Sequence, residues 1–341
     1  MSRPRRIFYR VGILKTRFLP IRPGPQNSIR FGAGLGYHPP MDGAASNRFI
    51  ASQTRGIVML VVGLSIAAFA GAMMKLLGDQ ITAFQVAWFR FSGMALILLP
   101  FLLWRYGPAA VRPARPLIQL LRGLTMAGGT TLFVVGARSV DYADAIAILY
   151  AYPFLLVVIA VLFLGEQASR LVWIGVCGGF IGVLLVMRPS FEAFNVGNLY
   201  IFGCAVVVSI QLALNRKLGM VAPPLVTSLA GAACAALALT LLLPGSWAPI
   251  PDTAWPYIGL LILAGTVNQT LLVYAFAHAD ASTLAPFSYS EIVSAVIFGF
   301  LFFGTMPSLL SWFGILLITA GGIYVSRALR VRNIPRRGTR I

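Results

Sequence analysis

The sequence predicts an all-α integral membrane protein with ten transmembrane helices in two inverted five-helix repeats. Three observations predict it. Apolar runs of spanning length recur throughout the 341 residues, basic residues gather in alternate connections, and one glycine–tryptophan pattern occurs twice. Hydrophobic residues make up 58% of the chain and charged residues 11%, against roughly 25% charged in a soluble domain. The mean hydropathy is +0.84, and soluble folds are set aside on these grounds. A net charge of +18 raises the question of nucleic acid. The basic residues, however, lie between apolar runs and at the two ends, which is a topology signal. The expected surroundings are a lipid bilayer, with no nucleic acid partner.

Runs bounded by charges, Pro or Gly place the spans at about 56–77, 81–104, 117–137, 143–164, 171–187, 197–215, 223–243, 255–277, 282–303 and 309–327. Most approach the ~20 residues a helix needs to cross the hydrocarbon core. If the N-terminus is cytoplasmic, the inner side receives Arg48, Arg55, Arg105, Arg112, Arg115, Arg170, Arg216, Lys217 and the arginines from Arg327 onward. The outer side receives only Lys75, Arg138 and Arg188. The positive-inside rule then puts both termini in the cytoplasm and requires an even number of spans. Cys177, Cys204 and Cys234 lie within apolar runs without metal-type spacing, and read as small interior residues.

"LFLGEQASRLVWIG" (162–175) and "LFFGTMPSLLSWFG" (301–314) are identical at seven of fourteen positions. Each lies where the fourth span of its half meets the fifth. Five spans per half is an odd number, so the second copy enters the membrane inverted, as in many secondary transporters. The repeats are placed at 56–187 and 197–327, with a basic cytoplasmic segment at 1–55 and a basic cytoplasmic tail at 328–341. Residues 1–40 are rich in Arg, Pro and Gly; translation from Met41 is a second reading of that leader. "GVCGGFIGV" and "ITAGGIYVS" in the fifth spans offer glycines for close helix contact.

Ionisable side chains near a helix centre cost roughly 2.5–3.5 kcal/mol on insertion scales. They therefore face the bundle interior or a watery cavity. Glu291 stands about ten residues into the ninth span, in "PFSYSEIVSAVIFGFLFFG". It reads either as a site carboxylate, for a cationic substrate group or a proton, or as half of a buried structural pair. Arg90, at a similar depth in the second span, could pair with Glu291, hold a substrate carboxylate or phosphate, or snorkel. Lys75 and Arg122 lie near span ends where they can snorkel; Lys75 is kept with Glu291 and Arg90 as a proton or ion-pair candidate. Pro153 and Pro286 predict kinks. Overlaying the repeats sets Tyr150 on Tyr289 and Tyr152 on Glu291, and paired tyrosines at paired kinks suit a midplane site. Asn268 and Gln269 in the eighth span and Gln211 in the sixth are interhelical links or cavity lining.

No catalytic residue is predicted. The only histidines are His38 and His278, there is no His/Cys/carboxylate cluster for a metal, and no phosphate loop of the ATPase type appears. No cofactor is expected, and the oligomeric state is left open.

With these features in place, residues 56–327 resemble the EamA-type carriers of the drug/metabolite transporter superfamily. The resemblance is carried by "PFLLVVIAVLFLGEQ" and "WIGVCGGFIGVLLVMRP", including Pro153, Gly165 and Glu166. The second half departs from the family pattern, with Thr305 in place of the usual acid and Glu291 near a common Pro position. "AFQVAWFRF", "LILLPF", "LLRGL" and "APFSYSEIVSAVIFGFLFFGTMP" are similar to the S-adenosylmethionine uptake transporter-like subgroup, and on that likeness Lys75, Arg90, Arg122, Tyr289 and Glu291 map onto its polar positions. The resemblance implies a bacterial inner (cytoplasmic) membrane carrier moving a small organic molecule by alternating access. Its lead substrate class is S-adenosylmethionine-like, or another cationic or nucleoside-like metabolite. The substrate-binding candidates are Glu291, Tyr289, Tyr150, Tyr152, Arg90, Asn268 and Gln269. A proton-coupled exporter of amino acids or drugs, a riboflavin carrier and a non-transporting membrane scaffold are the alternatives.

Overall fold

A computed structural model describes residues 43–108, 115–164, 168–187, 195–218, 223–279 and 281–332. The leader, the end of the tail, Arg112, Gly165, Glu166 and Arg188 lie outside the described residues, together with the expectations attached to them.

The helices are α1 (Gly43–Gly78), α2 (Ala83–Tyr106), α3 (Pro116–Ala137), α4 (Tyr142–Leu149), α5 (Tyr152–Leu164) and α6 (Arg170–Met187), then α7 (Val196–Leu218), α8 (Pro224–Leu242), α9 (Ala254–His278), α10 (Ala281–Leu284), α11 (Ser290–Phe303) and α12 (Leu309–Arg332). Ten segments among the described residues are long and apolar enough to cross a membrane. They match the ten predicted spans, with ends that shift by a few residues. Two spans are composite. α4 and α5 share one, and a 3-10 turn at Ala285–Tyr289 leads into α11 in the other. Large apolar side chains face outward, among them Leu241, Trp104 and Phe163, as a lipid-facing surface requires.

Spans alternate in direction, so the connections fall at two ends. The far end holds the turns at 79–82 and 138–141 and the segment 246–253. The near end holds the C-terminus of α12 and the start of α10.

The inversion is visible where the two fifth spans meet. A Cβ built on Gly182 of α6 would lie 2.7 Å from the Gly314 carbonyl of α12, and one on Gly321 would lie 3.0 Å from the Gly175 carbonyl. The helices therefore run antiparallel with backbones in contact, which only glycine permits. Repeat overlay equates Gly175 with Gly314 and Gly182 with Gly321, so the two contacts exchange under a pseudo-two-fold operation.

Local chemistry sets the breaks. Thr82 caps α2 by accepting from the Gln85 backbone N–H, while Gln85 Oε1 accepts from the Thr82 N–H at 3.0 Å. Gly304, with φ of 63°, closes α11 in the left-handed conformation and donates to the Phe300 carbonyl at 3.0 Å.

Candidate functional site

The fourth span breaks at the position its sequence marks. Pro153 has no N–H to offer the Leu149 carbonyl, so α4 ends at Leu149 and α5 restarts at Tyr152. Tyr150, at the cap of α4, is 1% exposed. In the other half, Pro286 sits at the start of the 3-10 turn. The chain there winds with a three-residue period up to Tyr289 rather than the ~3.6 of an α-helix.

Glu291 opens α11 in its first turn, where the positive end of the helix favours a carboxylate. Tyr150 Oη donates to Glu291 Oε2 at 2.8 Å and also lies 2.5 Å from the Ser288 carbonyl. The Tyr150 ring centroid lies 5.3 Å from that of Tyr289 and 5.5 Å from that of Tyr152. The tyrosines equated by the repeat thus meet across the halves. One turn further on, the Ser294 and Ser65 hydroxyls share a 2.9 Å hydrogen bond that ties α11 to α1.

Glu291 lines a central cavity of about 310 Å³, bounded by α1, α2, α3, α4, α5, α7, α9 and α11. Its polar walls are Arg90, Thr130, Tyr152, Gln211, Asn268 and Gln269, set among Met74, Met94 and Met126. Arg90 Nη1 donates to Met74 Sδ at 3.3 Å and to Thr130 Oγ1 at 3.5 Å. Its guanidinium also lies 5.5 Å from the Phe91 ring centroid. Gln269 Nε2 donates to Ser228 Oγ at 2.9 Å. Asn268 is 7% exposed, and its Oδ1 has no hydrogen-bond partner among the described residues.

A second cavity of about 350 Å³ lies toward the near end, between α5, α9, the 3-10 turn and α12. Tyr150, Tyr289, Ser288 and Ser326 face it, and Tyr152 walls both cavities. Gly322 makes room for Tyr289, since a Cβ there would lie 1.4 Å from its hydroxyl.

The far end is tied across the halves. Lys75 Nζ donates to the Ala137 and Val140 carbonyls at 2.5 and 2.6 Å and lies 5.3 Å from the Phe303 ring centroid of the second half. A cation there also answers the negative C-terminus of α3. Arg138 Nη2 donates to the Ile81 carbonyl at 3.0 Å, and Gln85 Nε2 to the Ala248 carbonyl at 2.8 Å. Trp88, Phe89, Trp247 and Trp255 cluster beside these bonds.

The structure therefore brings Glu291, Arg90, Tyr152, Asn268 and Gln269 to one cavity and sets Tyr150 and Tyr289 behind it. Lys75 stands apart at the far end. Arg122 does not snorkel: it is 4% exposed and donates to the Thr227 carbonyl of α8 at 2.5 Å. Sequence reading passed over Thr130 and the three methionines. A polar "GGTT" in mid-span was the available signal for Thr130; nothing in an apolar run marks a methionine that faces a cavity.

Ten spanning helices in inverted halves around a polar central cavity define a membrane carrier. The profile of the EamA-like transporter family matches residues 54–188 and again 195–327; the chain belongs to this family and is a secondary transporter of a small molecule. It is 27% identical over 272 residues to the S-adenosylmethionine uptake transporter of Rickettsia bellii (strain RML369-C), covering 79% of this chain and 92% of that one. It is 30% identical over 252 residues to the riboflavin transporter of Rhizobium johnstonii, covering 71% and 80%. One solved crystal structure shares the fold at a TM-score of 0.55 and 19% identity, covering 83% of this chain and 99% of the other.

Proposed function

We propose that the protein is a carrier of the bacterial inner (cytoplasmic) membrane, with both termini cytoplasmic, that moves an S-adenosylmethionine-like cationic or nucleoside-like metabolite by alternating access. One observation carries this reading. Glu291 faces the central cavity as a carboxylate oriented by Tyr150, and it has no ion-pair partner among the described residues. Arg90 acts on Glu291 only at longer range; a cationic ligand group would supply the direct ion pair, and Tyr152 offers it an aromatic face. The relatives named for S-adenosylmethionine uptake support the substrate class. In this reading the near end is cytoplasmic, and the far-end bonds close the route to the outside. No catalytic role is assigned to any residue.

The test is uptake of labelled S-adenosylmethionine into proteoliposomes. Glu291→Gln should insert normally and lose most of the flux. Wild-type flux in that variant would refute the cation-binding role, and a chain that moves none of S-adenosylmethionine, riboflavin, amino acids or purines would favour a scaffold.

A second reading, proton exchange driving amino acid or drug export, is favoured by the Tyr150 hydroxyl. Its single hydrogen faces two acceptors, Ser288 O and Glu291 Oε2. A proton on Glu291, donated to Tyr150 Oη, would free the Tyr150 hydrogen for Ser288. Flux that collapses when the pH gradient is dissipated, with the membrane potential clamped, would select this reading.

A further inference from the structure

We propose that Arg90 and Glu291 read the two ends of a zwitterion, Arg90 taking a carboxylate and Glu291 the cationic group. The inference rests on the carrier reading above and narrows its substrate class to molecules bearing both charges.

Both residues line the same cavity of about 310 Å³, a volume at the small end of metabolite sites. They come from opposite repeats, α2 and the first turn of α11. No ion pair joins them among the described residues. A guanidinium carries five N–H donors. Arg90 meets two acceptors, both through Nη1: a thioether at 3.3 Å, which is a weak acceptor, and a hydroxyl at 3.5 Å, which is long. Glu291 is engaged through Oε2 only.

Arg90 and Glu291 attract each other across the cavity without a direct ion pair, and charges held in a helical bundle with so little direct contact are costly. A ligand that answers both removes both costs at once. A simple cation would leave the guanidinium unanswered, and a phosphate dianion would meet Glu291 as a like charge. A carboxylate fits the planar arginine fork with two parallel hydrogen bonds. Asn268 lines the same cavity, and its buried Oδ1 has no hydrogen-bond partner among the described residues.

The experiment is thermal stabilisation of the purified full chain by two ligand pairs: S-adenosylmethionine with its decarboxylated form, and L-methionine with its methyl ester. For the wild type, loss of the carboxylate should weaken binding about tenfold or more. Arg90→Gln should abolish that discrimination while the carboxylate-free ligands bind as before, and Arg90→Lys should restore part of it. Discrimination by the methionine pair alone would keep the zwitterion site and discard S-adenosylmethionine as the substrate. Equal binding within every pair, silence from all four ligands, or an Arg90→Gln variant that loses both members of a pair equally would overturn the proposal.

Discussion

Tyr150 and Glu291 stand 2.8 Å apart across the two halves of the protein, joined by a hydrogen bond from the phenol to the carboxylate. Tyr150 belongs to the broken span of the first repeat, and Glu291 to the corresponding span of the second. Removing the hydroxyl with Tyr150→Phe keeps the ring contacts with Tyr152 and Tyr289 and frees the carboxylate. Hydrogen bonds to charged groups contribute about 1.5–3 kcal/mol, so uptake efficiency should fall about tenfold. Stability should drop by about 1 kcal/mol or less, as for other polar contacts within a membrane. Parallel transport and thermal-unfolding measurements check this; an equal loss in a Tyr289→Phe variant, which touches no carboxylate, would remove the special role of Tyr150.

Arg90 and Glu291 share a cavity without a direct ion pair, but each lies in the other's field. Neutralising one should therefore be rescued only weakly by neutralising the other. Thermal stability of Arg90→Gln, Glu291→Gln and the double variant should combine to within about 0.5 kcal/mol of additivity. A double variant more stable than either single one would instead reveal a mutual pair whose breaking strands a buried charge.

Glycines in α6 differ sharply in what surrounds them. At Gly182 a Cβ would meet Gly314 O at 2.7 Å and Ile318 N at 2.9 Å, both backbone atoms, whereas at Gly178 it would meet nothing within 4 Å. Gly182→Ala should destabilise the protein by about 1–3 kcal/mol through overpacking, and Gly178→Ala should leave it nearly unchanged. Thermal unfolding of the two variants, made side by side, tests this contrast.

Lys75 binds two carbonyls and faces Phe303, holding the far end together. Lys75→Met should favour conformations open at that end. Cys204 lines the central cavity and is a native reporter. In a background with Cys177 and Cys234 replaced by Ser, a membrane-impermeant thiol reagent applied at the far face should modify Cys204 faster in Lys75→Met than in the parent. Unchanged rates would show that the Lys75 bonds do not control closure.

What the sequence determined about this protein is what short-range chemistry encodes. Spans are legible because burial in hydrocarbon demands long apolar runs with every backbone group satisfied internally. The kinks are legible at Pro153 and Pro286, since a missing N–H acts within one turn. Glu291 and Arg90 stood out because charge is scarce at those depths. Tertiary structure alone decided their partners. It turned the Tyr150 hydroxyl onto Glu291, left Arg90 with a thioether and a hydroxyl, put Asn268 beside them, and sent Lys75 to the far end and Arg122 into the α3–α8 contact. These outcomes depend on residues tens to more than a hundred positions apart in the chain. Only helix packing sets such distances, because no local period links one span to another.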